Sequence, residues 1–172
     1  SAKMLIDSFM PEGITQLAVD SIFMMPQLGV LAHVDKKEFK DESRKAALEV
    51  FHKDCLIRLG TCINPVGRAK TGDVVLTAKL TMSDGMELEQ ELLKDELIRI
   101  EAPYKAVRAI LRPGKNMDIG AGTGQEITTN IYGGTVGLIF DGRDRPIKIP
   151  SDPLKRLEAL RSWSSALKEY PE

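Results

Sequence analysis

Asp118-Ile-Gly-Ala-Gly-Thr-Gly-Gln125 is the stretch whose reading decides the fold. In one reading Asp118, Gly120, Gly122 and Gly124 form a loop that brings backbone and a carboxylate up to a nucleoside, since glycine admits approaches that a Cβ forbids. Asp141 lies 23 residues downstream, after the apolar run Val136-Gly-Leu-Ile-Phe140, where an acid can bind ribose hydroxyls. That reading requires a crossover helix immediately after the loop, because parallel strands cannot be joined without one. The residues that follow are Glu126-Ile-Thr-Thr-Asn-Ile-Tyr-Gly-Gly134, a β-branched run ended by a Gly-Gly break. Only 31 residues follow Asp141, too few to complete a doubly wound sheet. The chain is therefore expected to fold antiparallel through the bend near Gly120.

The enzymatic alternative remains an S-adenosylmethionine-dependent methyltransferase, whose cofactor loop would be Asp118, Gly120, Gly122 and Gly124, with Asp141 as the ribose ligand. The plainer reading is that Asp118 and Asp141 each cap the N–H groups of a turn.

Working outward, Val74, Leu76, Ala78, Leu80 and Met82 alternate with Val75, Thr77, Lys79 and Thr81, a period-two pattern with one wet face. Asp84-Gly85 then predicts a two-residue hairpin turn into Met86–Leu92. Glu87, Glu89 and Glu91 on that return strand read as a solvated face. Further short strands are predicted over 97–101, 105–111, 126–131, 135–140 and 146–149, punctuated by Arg112-Pro-Gly114, Gly133-Gly134 and Asp141-Gly142. Upstream, Met4–Asp7 and Ile14–Asp20 read as strands and Cys55–Ile63 as a buried strand. Residues 41–54 carry a helical pattern with Asp41 as its cap. Pro26 and Gly29 argue against a helix over Ile22–Leu31. At the other end Ser151 is expected to cap a helix whose stripe is Leu154, Leu157, Leu160, Trp163 and Leu167. Trp163 is read there as an anchor against the β-body.

The expected fold class is α+β, mainly β: a small antiparallel barrel or sandwich with an N-terminal α/β segment and a C-terminal packing helix. Residues 1–64 form the α/β segment and 65–172 the β-domain. Ser1-Ala2 ahead of a strand-like run reads as an added start, so the chain is taken as a piece of a longer protein.

Composition excludes several function classes. The net charge is −1, with Lys and Arg scattered among acids, so neither nucleic acid nor an anionic membrane finds a basic surface. No apolar run reaches the length that spans a bilayer. Cys55 and Cys62, the only cysteines, read as reduced core thiols of a cytoplasmic protein. With two histidines, His33 and His52, on unrelated elements, no metal site and no nucleophilic triad can be assembled. In Asp141-Gly-Arg-Asp-Arg-Pro146, Arg143 and Arg145 could hold an anion, although Asp144 between them favours a turn with internal charge pairing.

Particular phrases add what periodicity cannot. Leu5-Ile-Asp-Ser-Phe-Met-Pro-Glu-Gly-Ile-Thr-Gln-Leu-Ala-Val-Asp20, Leu28-Gly-Val-Leu31, Asp54-Cys-Leu-Ile-Arg-Leu-Gly-Thr61 and Gly134-Thr-Val-Gly-Leu-Ile-Phe-Asp-Gly-Arg143 with Arg145-Pro146 resemble one family. It is the accessory proteins of coenzyme-B12-dependent glutamate mutase (the GlmL/MutL family, distinct from mismatch-repair proteins). The resemblance is to the C-terminal part of such a protein. It implies a parent with an actin- and hexokinase-type ATPase fold that protects or reactivates a corrinoid mutase. Residues 1–64 would then be the tail of an ATPase subdomain. The implied partners are the upstream ATPase portion and corrinoid mutase subunits, with ATP bound only by the full parent. The family's nucleotide motifs are not in this sequence, so the resemblance carries over no catalytic or cofactor-binding residue.

Overall fold

A computed structural model of the chain describes residues 2–33 and 40–168, so Ser1 lies outside the described residues. The architecture is α+β and mainly β. Two compact units emerge, one made of residues 1–17 and 59–172 and the other of residues 18–58. The boundary expected between residues 64 and 65 falls at the end of a strand inside the larger unit.

The larger unit is layered. Its first sheet has the order β1-β2-β10-β6, from β1 (Gly13–Asp20), β2 (Leu56–Asn64), β6 (Leu97–Ile100) and β10 (Gly137–Asp141). Its second sheet has the order β5-β4-β7-β9, from β4 (Val74–Thr81), β5 (Glu87–Leu93), β7 (Ala106–Pro113) and β9 (Ile127–Tyr132). The short pair β3 (Val66–Gly67) and β8 (Met117–Asp118) stands apart from both. Neither sheet closes on itself, so the architecture is sandwich-like and not a barrel. The expectation of a purely antiparallel fold also needs correction, since β10 runs parallel to β2, with Gly137 opposite Gly60.

The main core lies between the two sheets. Leu76, Ala78 and Leu80 of β4 and Val107, Ala109 and Leu111 of β7 meet Ile63 of β2 and Leu138 and Phe140 of β10. The opposite face of the first sheet is covered by helices. Cys62 and Ile139 pack there with Ile6 of α1 (Ala2–Phe9) and with Trp163 and Leu167 at the end of α4 (Pro153–Ala166). A strand covered on both faces reads as a continuous apolar run, which is why Val136–Phe140 shows no alternation.

Several local expectations are corrected. Met4–Asp7 is helical: Lys3 and Asp7 pair one turn apart while Ile6 turns to the core. Ile22–Leu31 contains α2 (Met25–Ala32), with Pro26 in its first turn, where the missing N–H costs nothing. The Asp20 carboxylate supplies the cap from outside, accepting the N–H groups of Met24 at 3.2 Å and Met25 at 2.8 Å. Residues 41–54 are helical as expected, in α3 (Lys40–Val50) and a π-helical turn over Phe51–Cys55, but Asp41 sits in the first turn and not at the cap. The 83–85 turn is a three-residue loop, closed by Met82 N–H to Met86 O at 2.8 Å and Gly85 N–H to Met82 O at 3.0 Å. Only Gly85 has positive φ there (87°), the mark of a turn ending in a glycine bulge rather than of a primed two-residue turn. No strand forms over 146–149. Asp152, not Ser151, caps α4, accepting from the Lys155 N–H at 2.9 Å. Leu154 and Leu157 of its predicted stripe are exposed.

The smaller unit has its own core of Leu28, Ala47 and Cys55, with Met24, Ala32 and Phe51 packed around it.

Candidate functional site

In a strand, alternate side chains take opposite faces. Leu138 and Phe140 enter the inter-sheet core, so Ile139 and Asp141 turn toward α1 and α4. Asp141 is fully buried, and an ionised carboxylate there is tolerated only when paired and hydrogen-bonded. Two arginines supply the pairing. Asp141 Oδ1 accepts from the Arg143 backbone N–H at 3.1 Å and from its Nε at 2.8 Å. Oδ2 accepts from Arg143 Nη2 at 2.8 Å and Arg145 Nη2 at 2.9 Å. Four donors fill the four lone-pair positions.

The arginines tie this strand end to the rest of the larger unit. Arg143 Nη2 also donates to Asp7 Oδ1 on α1 at 2.9 Å, and Asp7 in turn pairs with Lys3. The Arg143 guanidinium lies over the Trp163 indole, 4.8 Å from the ring centroid, a stacked cation–π arrangement. Arg145 Nε donates to Pro11 O at 3.1 Å. Asn64, at the end of β2, donates through Nδ2 to the carbonyls of Asp141 at 2.6 Å and Arg143 at 3.0 Å, pinning the turn. Two polar atoms of this cluster have no partner: Asn64 Oδ1 and Arg143 Nη1.

Burial by itself would push the Asp141 carboxyl up. The hydrogen bonds and charge of Arg143, with those of Arg145, outweigh it and hold the group below the usual carboxylate range. Burial likewise works against the Arg143 charge, but Asp141 and Asp7 hold that guanidinium above its ordinary value. Beside them burial, reinforced by the Asp141 charge, pushes the Cys62 thiol up to about 12, so it is not a nucleophile at neutral pH.

The internal pairing expected of Asp141–Pro146 is present, with a different acid at its centre. Asp141 takes both arginines, while Asp144 pairs with Lys94 and, at 3.2 Å, with Lys148. Sequence reasoning missed Asp7 and Asn64, whose only signal was polarity beside buried apolar runs.

The glycine loop lies elsewhere. Asp118 is in β8, paired with Val66 of β3, and its Oδ1 accepts the N–H groups of Gly120 at 2.7 Å and Gly122 at 3.1 Å. Gly120, Gly122 and Gly124 have φ of 107°, 105° and 70°, values that glycine alone adopts without strain. Gly124 N–H closes the loop onto Met117 O at 2.8 Å. The next element is β9, antiparallel to β7, and no crossover helix leaves the bend. Asp118 and Asp141 therefore serve separate turns in separate sheets. Asp118→Ala is expected to lower stability by about 1–2 kcal/mol through its orphaned N–H groups. Titration calorimetry of the unaltered chain with S-adenosylmethionine is expected to give no heat of binding, and micromolar binding would restore the nucleoside reading of the loop.

The histidines and Cys55 form no constellation. His33 Nδ1 lies 3.2 Å from Gly29 O. His52 is exposed, its ring edge-on to Phe51. Cys55 is buried, and that burial raises its thiol, helped by Asp20 and Asp54. No group of three or more potential metal ligands occurs among the described residues. Comparison with protein-family models, with curated proteins and with solved structures found no match to this chain.

Proposed function

We propose that the chain is an interaction and regulatory module of an ATPase-type accessory protein that protects or reactivates a coenzyme-B12-dependent glutamate mutase. Its partners are the upstream ATPase portion of its own parent and the corrinoid mutase subunits, and it works in the cytoplasm without a cofactor of its own. The phrases running from Leu5 to Pro146 support the family context. The structural observation that carries the interaction role is the surface of the 18–58 unit. Phe23 is 80% exposed and Val30 75%, and Met25 and Leu48 are more than half exposed. Large apolar side chains gathered on one small unit mark a surface that meets another protein, and methionine there adapts to a partner's contours. In the larger unit, by contrast, Asp141 and Asp7 are paired with Arg143, and Asp141 with Arg145 as well.

The test is co-purification of the full-length parent with mutase subunits. Association is expected, and Phe23→Asp with Val30→Asp should weaken it at least tenfold while far-UV circular dichroism stays unchanged. A parent that associates with no corrinoid mutase subunit would remove the proposal. No helix among the described residues is long and apolar enough to cross a membrane.

A further inference from the structure

We propose that the cleft between α4 and the 147–150 segment of the larger unit binds a small monocarboxylate with an apolar body. The cleft has a volume of about 440 Å³, in the range of sites that enclose small metabolites. Ile147, Pro150, Ala159 and Trp163 give it apolar walls. Ala159 and Trp163 stand one helical turn apart, which sets both on the same face of α4.

The charge in this cleft is specific. Arg143 lines it at 3% exposure. Its Nε and Nη2 are committed to Asp141 and Asp7, while Nη1 has no partner. A buried guanidinium nitrogen without an acceptor is costly, and a single oxygen of a ligand would relieve it. Asp95 and Asp144 also line the cleft. They repel a multiply charged anion such as phosphate more strongly than a singly charged one, since like charges at close range disfavour each other. Lys148, 79% exposed and 3.2 Å from Asp144, provides a second cation on the lining. One unmet donor, one accessible cation, two acids and apolar walls together select a monoanion with a hydrocarbon or aromatic body. Nη1 is shielded from solvent and its guanidinium lies over the indole. Trp163 both lines the cleft and stacks on that guanidinium, so a ligand that engages Arg143 is reported by the indole.

Trp163 is the chain's only tryptophan, so its emission isolates the cleft. Benzoate titrated into the chain, with excitation at the red edge of the indole band, is expected to give a saturable change. Benzamide, the same shape without charge, and inorganic phosphate should each bind at least tenfold more weakly. Ala159→Phe fills the cleft and should abolish the change. Lys148→Glu, at a solvent-exposed position where the fold is not at stake, should weaken benzoate at least tenfold. A response that does not saturate, equal responses to benzoate and benzamide, or undiminished binding in Lys148→Glu would each overturn the assignment.

Discussion

Replacing Asp141 with alanine is expected to destabilise the chain by about 3–5 kcal/mol, the cost of stranding buried charges when one partner is removed. The side chains of Arg143 and Arg145 are 2% and 3% exposed. Among the described residues, without Asp141 the first keeps Asp7 as its acidic partner, beside the Trp163 ring, and the second keeps backbone carbonyls. Against a total stability of about 5–15 kcal/mol for a natural domain, such a loss brings the variant close to unfolding. Asp7→Ala should cost much less, because Asp7 is 26% exposed and already shares its charge with Lys3. Urea denaturation of the three proteins gives the comparison. A midpoint for Asp141→Ala within experimental error of the unaltered chain would mean that the cluster does not hold β10 to the helices.

The same cluster sets an acid limit. The folded Asp141 carboxyl lies below its ordinary 3.8, so the folded state holds the proton less tightly than the unfolded state. Its stabilisation is therefore complete above the unfolded value and fades as pH falls through the folded one. Asp144 adds in the same direction, lowered chiefly by its hydrogen bond to Lys94. The Arg143 shift is upward, so its contribution is full throughout the acid and neutral range and adds no slope there. The stability gap between the unaltered chain and Asp141→Asn should be constant near neutrality and narrow below about pH 4. A gap that narrows toward alkaline pH instead would contradict this sign.

How much of this was legible depends on where the information sits. The β4–β5 hairpin was readable because one face of β5 is wet: Glu87, Glu89 and Glu91 are exposed while Leu92 is buried. The antiparallel course after Gly124 was readable for a similar local reason, a β-branched run leading to Gly-Gly. Helix α2 was not, because a proline breaks a helix everywhere but in its first turn, where Pro26 stands, and the capping carboxylate of Asp20 lies several residues upstream. Even the hairpin was read one residue short, since Asp-Gly serves both a primed turn and a glycine bulge. The parallel β2–β10 pair was invisible, as its partners are 77 residues apart and the paired residues, Gly60–Ile63 and Gly137–Phe140, are too buried to alternate. The Asp141 cluster was half legible. Its charges are local in sequence, but what makes them matter is full burial against α1 and α4, a consequence of tertiary packing.

That parallel pair carries the second large prediction. Gly137 and Gly60 face each other in register. A Cβ on Gly137 would lie 2.4 Å from Ile100 O of β6, and one on Gly60 would lie 2.1 Å from Gly137 O. Both contacts are with backbone that is itself held in the sheet, so neither can yield without shifting β10. Gly137 also has φ of 82°, a conformation that costs an L-residue about 1–2 kcal/mol. With about 1–3 kcal/mol more for forcing the neighbouring backbone apart, Gly137→Ala should lose roughly 3 kcal/mol, and Gly60→Ala should suffer the clash as well. Gly29 supplies the contrast. It sits inside α2 with nothing within 4 Å of an added Cβ, so Gly29→Ala should gain about 0.5–1 kcal/mol from helix propensity. Denaturation midpoints moving in opposite directions for Gly137→Ala and Gly29→Ala are the expected result. A Gly137→Ala chain as stable as the original would mean that β10 does not lie between β2 and β6, and the buried Asp141 would lose the strand that carries it into the core.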